Sequence, residues 1–133
     1  MNKKIGLFIN TSQKENQIFL IDNFKVVEKF SYFISDNLEN QFIDNLEEFL
    51  KKINIEFDDF GFLAVFCGPG GFTGTRIAIA FTNAVKLVRP ELDIFDLYDN
   101  FDDRSIIERI KKPPAYGQLQ AKYYKEPSIT KKS

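Results

Sequence analysis

Short stretches rich in apolar residues, separated by polar turns, fill the first quarter of the chain. The first such stretch, residues 5–10, places Ile5 and Ile9 on one face, and stretches over 17–21 and 25–34 follow after short polar turns. A period of two is that of a half-buried β-strand, and short turns join antiparallel neighbours. The pattern predicts an antiparallel meander of three strands.

The apolar spacing then changes to that of a helix. Asp36 and Glu39 have the spacing of a capping box, which predicts the start of a helix over 38–53. A continuous apolar run over 62–67 predicts a buried strand, and a second helix is predicted over 73–88. The last predicted elements are a strand over 92–98 and a short helix over 104–112. The predicted fold is α/β, in the order βββαβαβ with a final short helix.

Both long helices carry more apolar surface than a sheet alone would cover. A helix that rests on a sheet needs an apolar stripe about 100° wide, whereas apolar residues occupy roughly half of the circumference of the second helix. Ile79 even falls among its polar residues, and Ile43 and Leu50 widen the stripe of the first helix. This surplus predicts burial against a protein partner. An oversized core face is the alternative for Ile43 and Leu50.

A glycine-rich turn, Cys67-Gly68-Pro69-Gly70-Gly71-Phe72-Thr73-Gly74-Thr75-Arg76, joins the buried strand to the second helix. Turns in this position present backbone N–H groups to anions, although a tight connection without a ligand is the plainer alternative. The turn has no lysine and is therefore not a P-loop, and a dinucleotide fingerprint would need glycine instead of Thr73. One alternative function is therefore an enzyme or a phosphate- or nucleotide-binding lobe, and its site residues would be Thr11, Ser12, Gly68, Gly70, Gly71, Thr73, Gly74 and Arg76.

Composition narrows the possible chemistry. The 133 residues, enough for one domain, include no histidine and a single cysteine, Cys67. The lack of histidine excludes Ser-His and Cys-His catalysis and histidine-containing metal sites. Cys67 ends a buried strand and is predicted to be a core residue in a reducing compartment. No apolar run approaches the ~20 residues of a membrane span, and the N-terminus lacks a signal-peptide pattern, so we expect a cytoplasmic protein. From the composition we also expect no catalytic residues, no metal and no cofactor.

Charge is unevenly distributed, although the net charge is −1. Residues 111–133 hold six lysines and one glutamate, a net of +5, so residues 1–110 carry −6. A basic tail can approach RNA phosphates by releasing counterions. The alternative is a solvated terminus, and contact with tRNA is therefore an open expectation.

The glycine turn resembles the signature Gly-Pro-Gly-Ser-Phe-Thr-Gly-x-Arg-Ile-Gly of the TsaB family, bacterial accessory subunits in the synthesis of threonylcarbamoyladenosine on tRNA. Gly71 stands where that family has serine, and Ala78 where it has the last glycine. The resemblance runs over about 4–98, and 123–127 loosely resembles the family's closing Tyr-Leu-Arg-x-Pro. It implies a ribonuclease-H-like lobe of the actin-like ATPase (ASKHA) superfamily, in a shortened single-lobe form.

The resemblance also shows two departures from the family. Asn10 replaces the aspartate that ends the first strand in catalytic relatives, and an amide lacks the anionic oxygen that Mg²⁺ prefers; we expect its side chain to cap the adjacent turn. Residues 1–98 suffice for one lobe, and 99–133 form a short helix and basic tail in place of the second. A nucleotide held by one lobe would stay largely exposed. Both departures argue against independent catalysis.

TsaB proteins are themselves inactive and pair through two helices with the catalytic subunit TsaD, which the ATPase TsaE joins. The resemblance therefore implies a non-catalytic scaffold whose contact residues lie on helices 38–53 and 73–88. The predicted contacts are Ile43, Leu50, Gly74, Ala78, Ile79, Phe81, Thr82 and Val85. The remaining alternative is a homodimer formed through the same helices.

Overall fold

The computed structural model describes residues 2–35 and 41–122, which form a five-stranded mixed sheet with three helices. The elements are β1 (Asn2–Asn10), β2 (Glu15–Asp22), β3 (Lys25–Phe33), α1 (Gln41–Ile53), β4 (Phe60–Phe66), α2 (Phe72–Val88), β5 (Asp93–Leu97) and α3 (Asp103–Ile110). A short 3₁₀ turn, Phe57–Asp59, precedes β4. This order confirms the predicted α/β fold. The predicted capping box at Asp36 and Glu39, and the stretch 123–127, lie outside the described residues.

The sheet combines the predicted meander with a parallel half. Its strand order is β3-β2-β1-β4-β5, in which β1 runs antiparallel to β2 and parallel to β4. All seven residues of β4 are buried. A parallel strand covered on both faces loses the alternation of a half-buried strand, which explains the continuous apolar run.

The two faces of the sheet form two cores because successive strand side chains point in opposite directions. Leu7 and Ile9 of β1 belong to the core shared with α1 and α2, together with Phe42 and Phe49 of α1. Phe8, between them, belongs to the core on the opposite face, which also contains two isoleucines of α3. The sheet is therefore covered by two long helices on one side and one short helix on the other.

Helix α2 buries a different face from the one that its hydrophobicity predicts. Thr75, Ala78, Ile79 and Thr82 are all buried. The expectation that Ile79 lies on the solvent side of α2 is therefore wrong. The row that is buried is the one facing the sheet, and short or β-branched side chains fill it although two of them carry hydroxyl groups. Ile77, Phe81 and Val85 pack against the edge of the core, and Leu87 and Val88 are left outside it.

After α3, the chain returns across the face of the sheet that α1 and α2 cover. The backbone N–H of Ala115 donates to the carbonyl of Ile94 on β5 at 2.7 Å. Leu119 is buried, and the Asn83 amide of α2 both donates to its carbonyl and accepts from its N–H, at 3.2 and 2.8 Å. Lys122 N–H then donates to Cys67 O at 2.7 Å. Residues 113–122 are thus fixed by backbone bonds and one apolar anchor.

The turn between β2 and β3 gives a first prediction. Asn23 and Phe24 have φ of 52° and 62°, and two residues with positive φ are typical of the type I′ hairpin turn. Asparagine tolerates the left-handed conformation, whereas the phenylalanine side chain of Phe24 does not favour it. Phe24→Gly should therefore raise the free energy of unfolding in urea by about 0.5–1 kcal/mol, because left-handed backbone costs a non-glycine residue roughly 1–2 kcal/mol. Phe24→Ala, which removes the ring but keeps the strain, is the control and should bring no gain; an equal gain from both variants would contradict this explanation.

Candidate interaction surface and glycine turn

The glycine turn packs directly against the end of β1. A Cβ built on Gly70 would lie 2.5 Å from the Cβ of Ser12, and one on Gly74 would lie 2.4 Å from the carbonyl oxygen of Thr11. The N–H of Gly71 donates to Ser12 O at 3.2 Å. These glycines therefore allow two segments of backbone to meet. Gly74 is one of the predicted partner contacts, but its lack of a side chain is explained by this close packing against β1 within the chain.

The hydroxyl groups beside the turn already have partners within the chain. Thr11 Oγ1 donates to Gly74 O at 2.6 Å and accepts from Ala78 N–H at 3.2 Å. Ser12 Oγ donates to Asn10 Oδ1 at 2.7 Å. A phosphate would have to displace these bonds. Of the other predicted phosphate-site residues, Thr73 and Arg76 have exposed side chains at the start of α2.

Asn10 holds the turn that follows β1. It is fully buried, and its Oδ1 accepts from both the N–H and the Oγ of Ser12, at 2.9 and 2.7 Å. Its Nδ2 donates to Gln17 Oε1 at 3.1 Å. The expectation that this side chain caps the adjacent turn is confirmed.

Removal of that cap gives a second prediction. Asn10→Ala leaves the buried N–H and hydroxyl of Ser12 without their acceptor, so the free energy of unfolding should fall by about 2 kcal/mol. Asn10→Asp keeps the accepting oxygen but buries a carboxylate at a fully buried position, so it is the matched variant at acidic pH, where the neutral carboxyl should lose clearly less stability than alanine. Chemical denaturation of the two variants measures the difference, and an alanine variant as stable as the original chain would show that the cap is unimportant.

The far side of the glycine turn is closed by the C-terminal segment. Gly68 has φ of 119°, and a Cβ built on it would coincide with the backbone carbonyl of Lys122. Cys67, next to it, is buried, and burial together with the nearby Asp96 raises the pKa of its thiol to about 12. The thiol is therefore protonated at neutral pH and is a poor nucleophile. Within residues 2–35 and 41–122, no group of three or more His, Cys, Asp or Glu side chains is arranged to hold a metal ion.

The predicted partner contacts fall into three groups. Ala78, Ile79 and Thr82 are buried against the sheet, so the prediction that they contact a partner is corrected. A side chain without exposed surface has nothing to offer another protein. Gly74 packs against β1. The remaining four stay accessible, since Ile43 is 41% exposed and Leu50, Phe81 and Val85 are half-buried between α1 and α2.

The apolar residues that α2 exposes are ones the prediction missed. Leu87 and Val88 are 75% and 81% exposed, and Ala80 and Ala84 on the same flank are also exposed. We call these four residues, together with Ile43, the α1–α2 surface. Isolated exposed apolar residues are ordinary, but a contiguous group is typical of an interaction site.

A groove beside α1 continues this surface. Its volume is about 670 Å³, and Phe81 of α2 lies at its wall with ring contacts to Phe42 and Phe57 at 5.1 and 5.8 Å between centroids. The apolar lining consists of Ile43, Leu46, Leu50, Ile55, Phe57 and Phe81. The groove and the α1–α2 surface together form an accessible apolar region on the side of the sheet that α1 and α2 cover.

Comparison with known proteins places this geometry in a wider group. No family model matches the sequence. The chain is 31% identical, over 97 residues and 71% of its length, to an uncharacterized Mycoplasma pneumoniae protein described as a homolog of MG208. Two Pseudomonas aeruginosa structures, YeaZ and an uncharacterized protein with similarity to peptidase YeaZ, each match 72% of this chain with a TM-score of 0.63 and 19% identity. The fold is that of YeaZ, or TsaB.

The likeness to YeaZ shows the fold of this chain over part of its length. The chain spans about half the length of these relatives, covering 49% of the Mycoplasma protein and 44% of each Pseudomonas chain. The serine that the TsaB signature has at Gly71 would fit here, because a Cβ at this position meets nothing closer than Ser12 O at 3.6 Å. Along the described residues, no helix has both the length and the apolar character that a bilayer span requires.

Proposed function

We propose that this chain is a non-catalytic subunit of the complex that synthesises threonylcarbamoyladenosine on tRNA, where it pairs with the catalytic subunit TsaD through α1 and α2. The observation that carries the proposal is the α1–α2 surface, an apolar region left open on a YeaZ-like lobe. Leu87 and Val88 project from the end of α2 and contribute nothing to the chain's own core. Their burial by a partner would recover roughly 1.5–3 kcal/mol per side chain.

The glycine turn supports a role without independent catalysis. Its glycines bring the turn within contact of Thr11 and Ser12, and both hydroxyl groups donate inside the chain. A site that stabilises a transferring phosphoryl group needs donors aimed at the reacting atoms. Here those donors maintain the junction between β1 and α2 instead.

Association with a TsaE-like ATPase and contact with tRNA are further parts of the proposal. Both would follow from membership of the complex. Lys111 and Lys112, at the start of the basic C-terminal part of the chain, are exposed and suited to phosphate contacts. The remaining lysines of the tail lie outside the described residues, apart from Lys122, which pairs with Asp99 at 2.9 Å.

Co-purification tests the proposed function. The chain and the TsaD of the same cell are co-expressed with a tag on one of them, and the eluate is analysed by light scattering. We expect a 1:1 heterodimer that survives gel filtration, and little ATP hydrolysis by the chain alone. Purification of a stable homodimer that ignores TsaD would favour the homodimeric module instead. Tight ATP binding by the isolated chain in calorimetry would favour the phosphate-binding hypothesis.

A further inference from the structure

We propose that the groove beside α1 is selective for a basic partner segment, and that its acidic mouth disfavours pairing with a second copy of this chain. The inference deepens the proposed function, since it rests on that function and concerns the charge of the segment that the catalytic subunit places in the groove beside the α1–α2 surface. Its basis is the distribution of charged side chains around an apolar floor.

The floor of the groove is suited to an apolar anchor. Leu46 is buried in the core, while Leu50 and Phe81 are half-buried and offer part of their surface to the groove. A volume of about 670 Å³ is within the range of clefts that take several apolar groups. An apolar side chain from a partner helix would fill the groove, whose floor is apolar and whose other side is open to water.

The mouth of the groove is acidic. Glu47 of α1 and Glu56 line it, and Asp58 and Asp59 follow directly in the 3₁₀ turn that presents Phe57. Lys51 is the one basic residue in the lining, so the lining itself carries a net charge of −1. Asp58 and Asp59, which follow Phe57 beside the lining, bring the mouth of five charged side chains to a net of −3. All five are exposed.

These carboxylates have no ionic partners in the described parts of the chain. Glu47 and Lys51 have the i, i+4 spacing of a helix ion pair, but no salt bridge joins them within 4.0 Å. Asp59 accepts a hydrogen bond from Glu56 N–H at 3.2 Å, which explains its place in the turn and leaves its charge uncompensated. The guanidinium of Arg89 lies beside the 3₁₀ turn, where it donates to Phe57 O at 3.5 Å and to Phe60 O at 2.8 Å, and its charge is paired with that of Glu91 at 3.4 Å.

Symmetry determines what this charge selects. A two-fold homodimer brings the same patch of both subunits together. Pairing of two copies through the groove would therefore set one net charge of −3 against another. Like charges placed together across an interface are costly, whereas lysine or arginine beside an apolar anchor would complement the mouth and accelerate association. The charge pattern thus favours a heterologous basic partner.

Two model peptides test the inference without the catalytic subunit. The first is a helical peptide of leucine and lysine with leucine along one face, and the second has glutamate in place of every lysine. Fluorescence anisotropy at low ionic strength should show binding of the lysine peptide to the wild-type chain at least about tenfold tighter than the glutamate peptide, and salt should weaken it. Equal binding of the two peptides, or binding of neither, would overturn the inference.

Charge-reversed variants locate the binding to the groove. Glu47→Lys with Glu56→Lys should abolish the preference for the lysine peptide, because the mouth then carries a net charge of +1 instead of −3. Glu15→Lys with Glu28→Lys makes the same change on the β2–β3 hairpin, where both side chains are exposed, and should leave the preference intact. A preference that both pairs abolish equally would reflect overall charge and would contradict a role for the groove.

Self-association provides an independent readout of the same charge. In sedimentation equilibrium, a mixture of the wild-type chain and the Glu47→Lys, Glu56→Lys variant should associate more strongly than the wild-type chain alone. Equal association would contradict the claim that the mouth disfavours a second copy. Selective binding of the lysine peptide together with failure to bind TsaD would leave this inference standing and would reject the proposed catalytic partner. Tight TsaD binding without peptide selectivity would support the proposed catalytic partner and would reject this inference.

Discussion

Replacement of Ala84 and Leu87 by glutamate is expected to abolish stable pairing with TsaD. Both side chains are exposed on α2, so their replacement places charge on the α1–α2 surface without disturbing the core. Neither residue lines the groove, so the apolar part of the partner that covers them would have to bury two unpaired carboxylates, and an uncompensated buried charge costs about 3–5 kcal/mol. We therefore expect the dissociation constant to rise by about 100-fold or more, measured by titration of labelled TsaD.

A matched variant separates this effect from a general change in charge or hydrophobicity. Val27→Glu with Phe33→Glu also replaces two exposed apolar residues, 47% and 72% exposed, but on β3. This pair should leave binding unchanged. Chemical denaturation should show similar stability for both double variants and the original chain. Normal pairing by the Ala84, Leu87 variant would reject α2 as the interface.

Gly74→Ala is expected to destabilise the fold clearly, because it fills the close contact between α2 and the end of β1. The added methyl group would lie 2.4 Å from the backbone oxygen of Thr11, which cannot rotate away as a side chain would. Relief requires separation of α2 from β1 and stretches the Thr11–Gly74 hydrogen bond of 2.6 Å. Overpacking costs about 1–3 kcal/mol and the helix propensity of alanine returns less than about 1 kcal/mol. We expect a net loss of about 2 kcal/mol in urea denaturation.

The neighbouring Gly71→Ser is the control for this explanation. A Cβ at Gly71 would be 3.6 Å from Ser12 O, an ordinary contact, and Gly71 occupies the N-cap position of α2. Serine is favoured at an N-cap, so stability should stay the same or rise by a few tenths of a kcal/mol. If both substitutions destabilised the chain equally, close approach to β1 would not be the reason for glycine at Gly74.

The order of elements could be predicted because each element has a recognisable apolar pattern with polar residues at its boundaries. The buried strand β4 is a continuous apolar run, and the three meander strands are separated by polar turns, so both periodicity and punctuation agree with the structure. The role of Asn10 was also accessible, since asparagine after a strand commonly bonds the backbone two residues on. Local patterns of this kind depend on few distant contacts.

The orientation of α2 could not be predicted because it depends on packing distance and not on hydrophobicity. A helical wheel places Thr82 on the polar side of α2 and Leu87 on its wide apolar half, whereas the structure buries the first and exposes the second. Small side chains are needed where the helix approaches the sheet. The return of residues 113–122 was equally hidden, since Leu119 is its one fully buried apolar residue among those described, and its bonds reach Asn83, which is 36 residues away.

The most direct test of the account is hydrogen exchange of the wild-type chain with and without TsaD. Pairing through the α1–α2 surface predicts that amides over 43–57 and 80–88 become slower to exchange in the complex, while those of β3 do not change. Protection confined to β3, or exchange that TsaD leaves unaltered throughout the chain, would contradict the central claim.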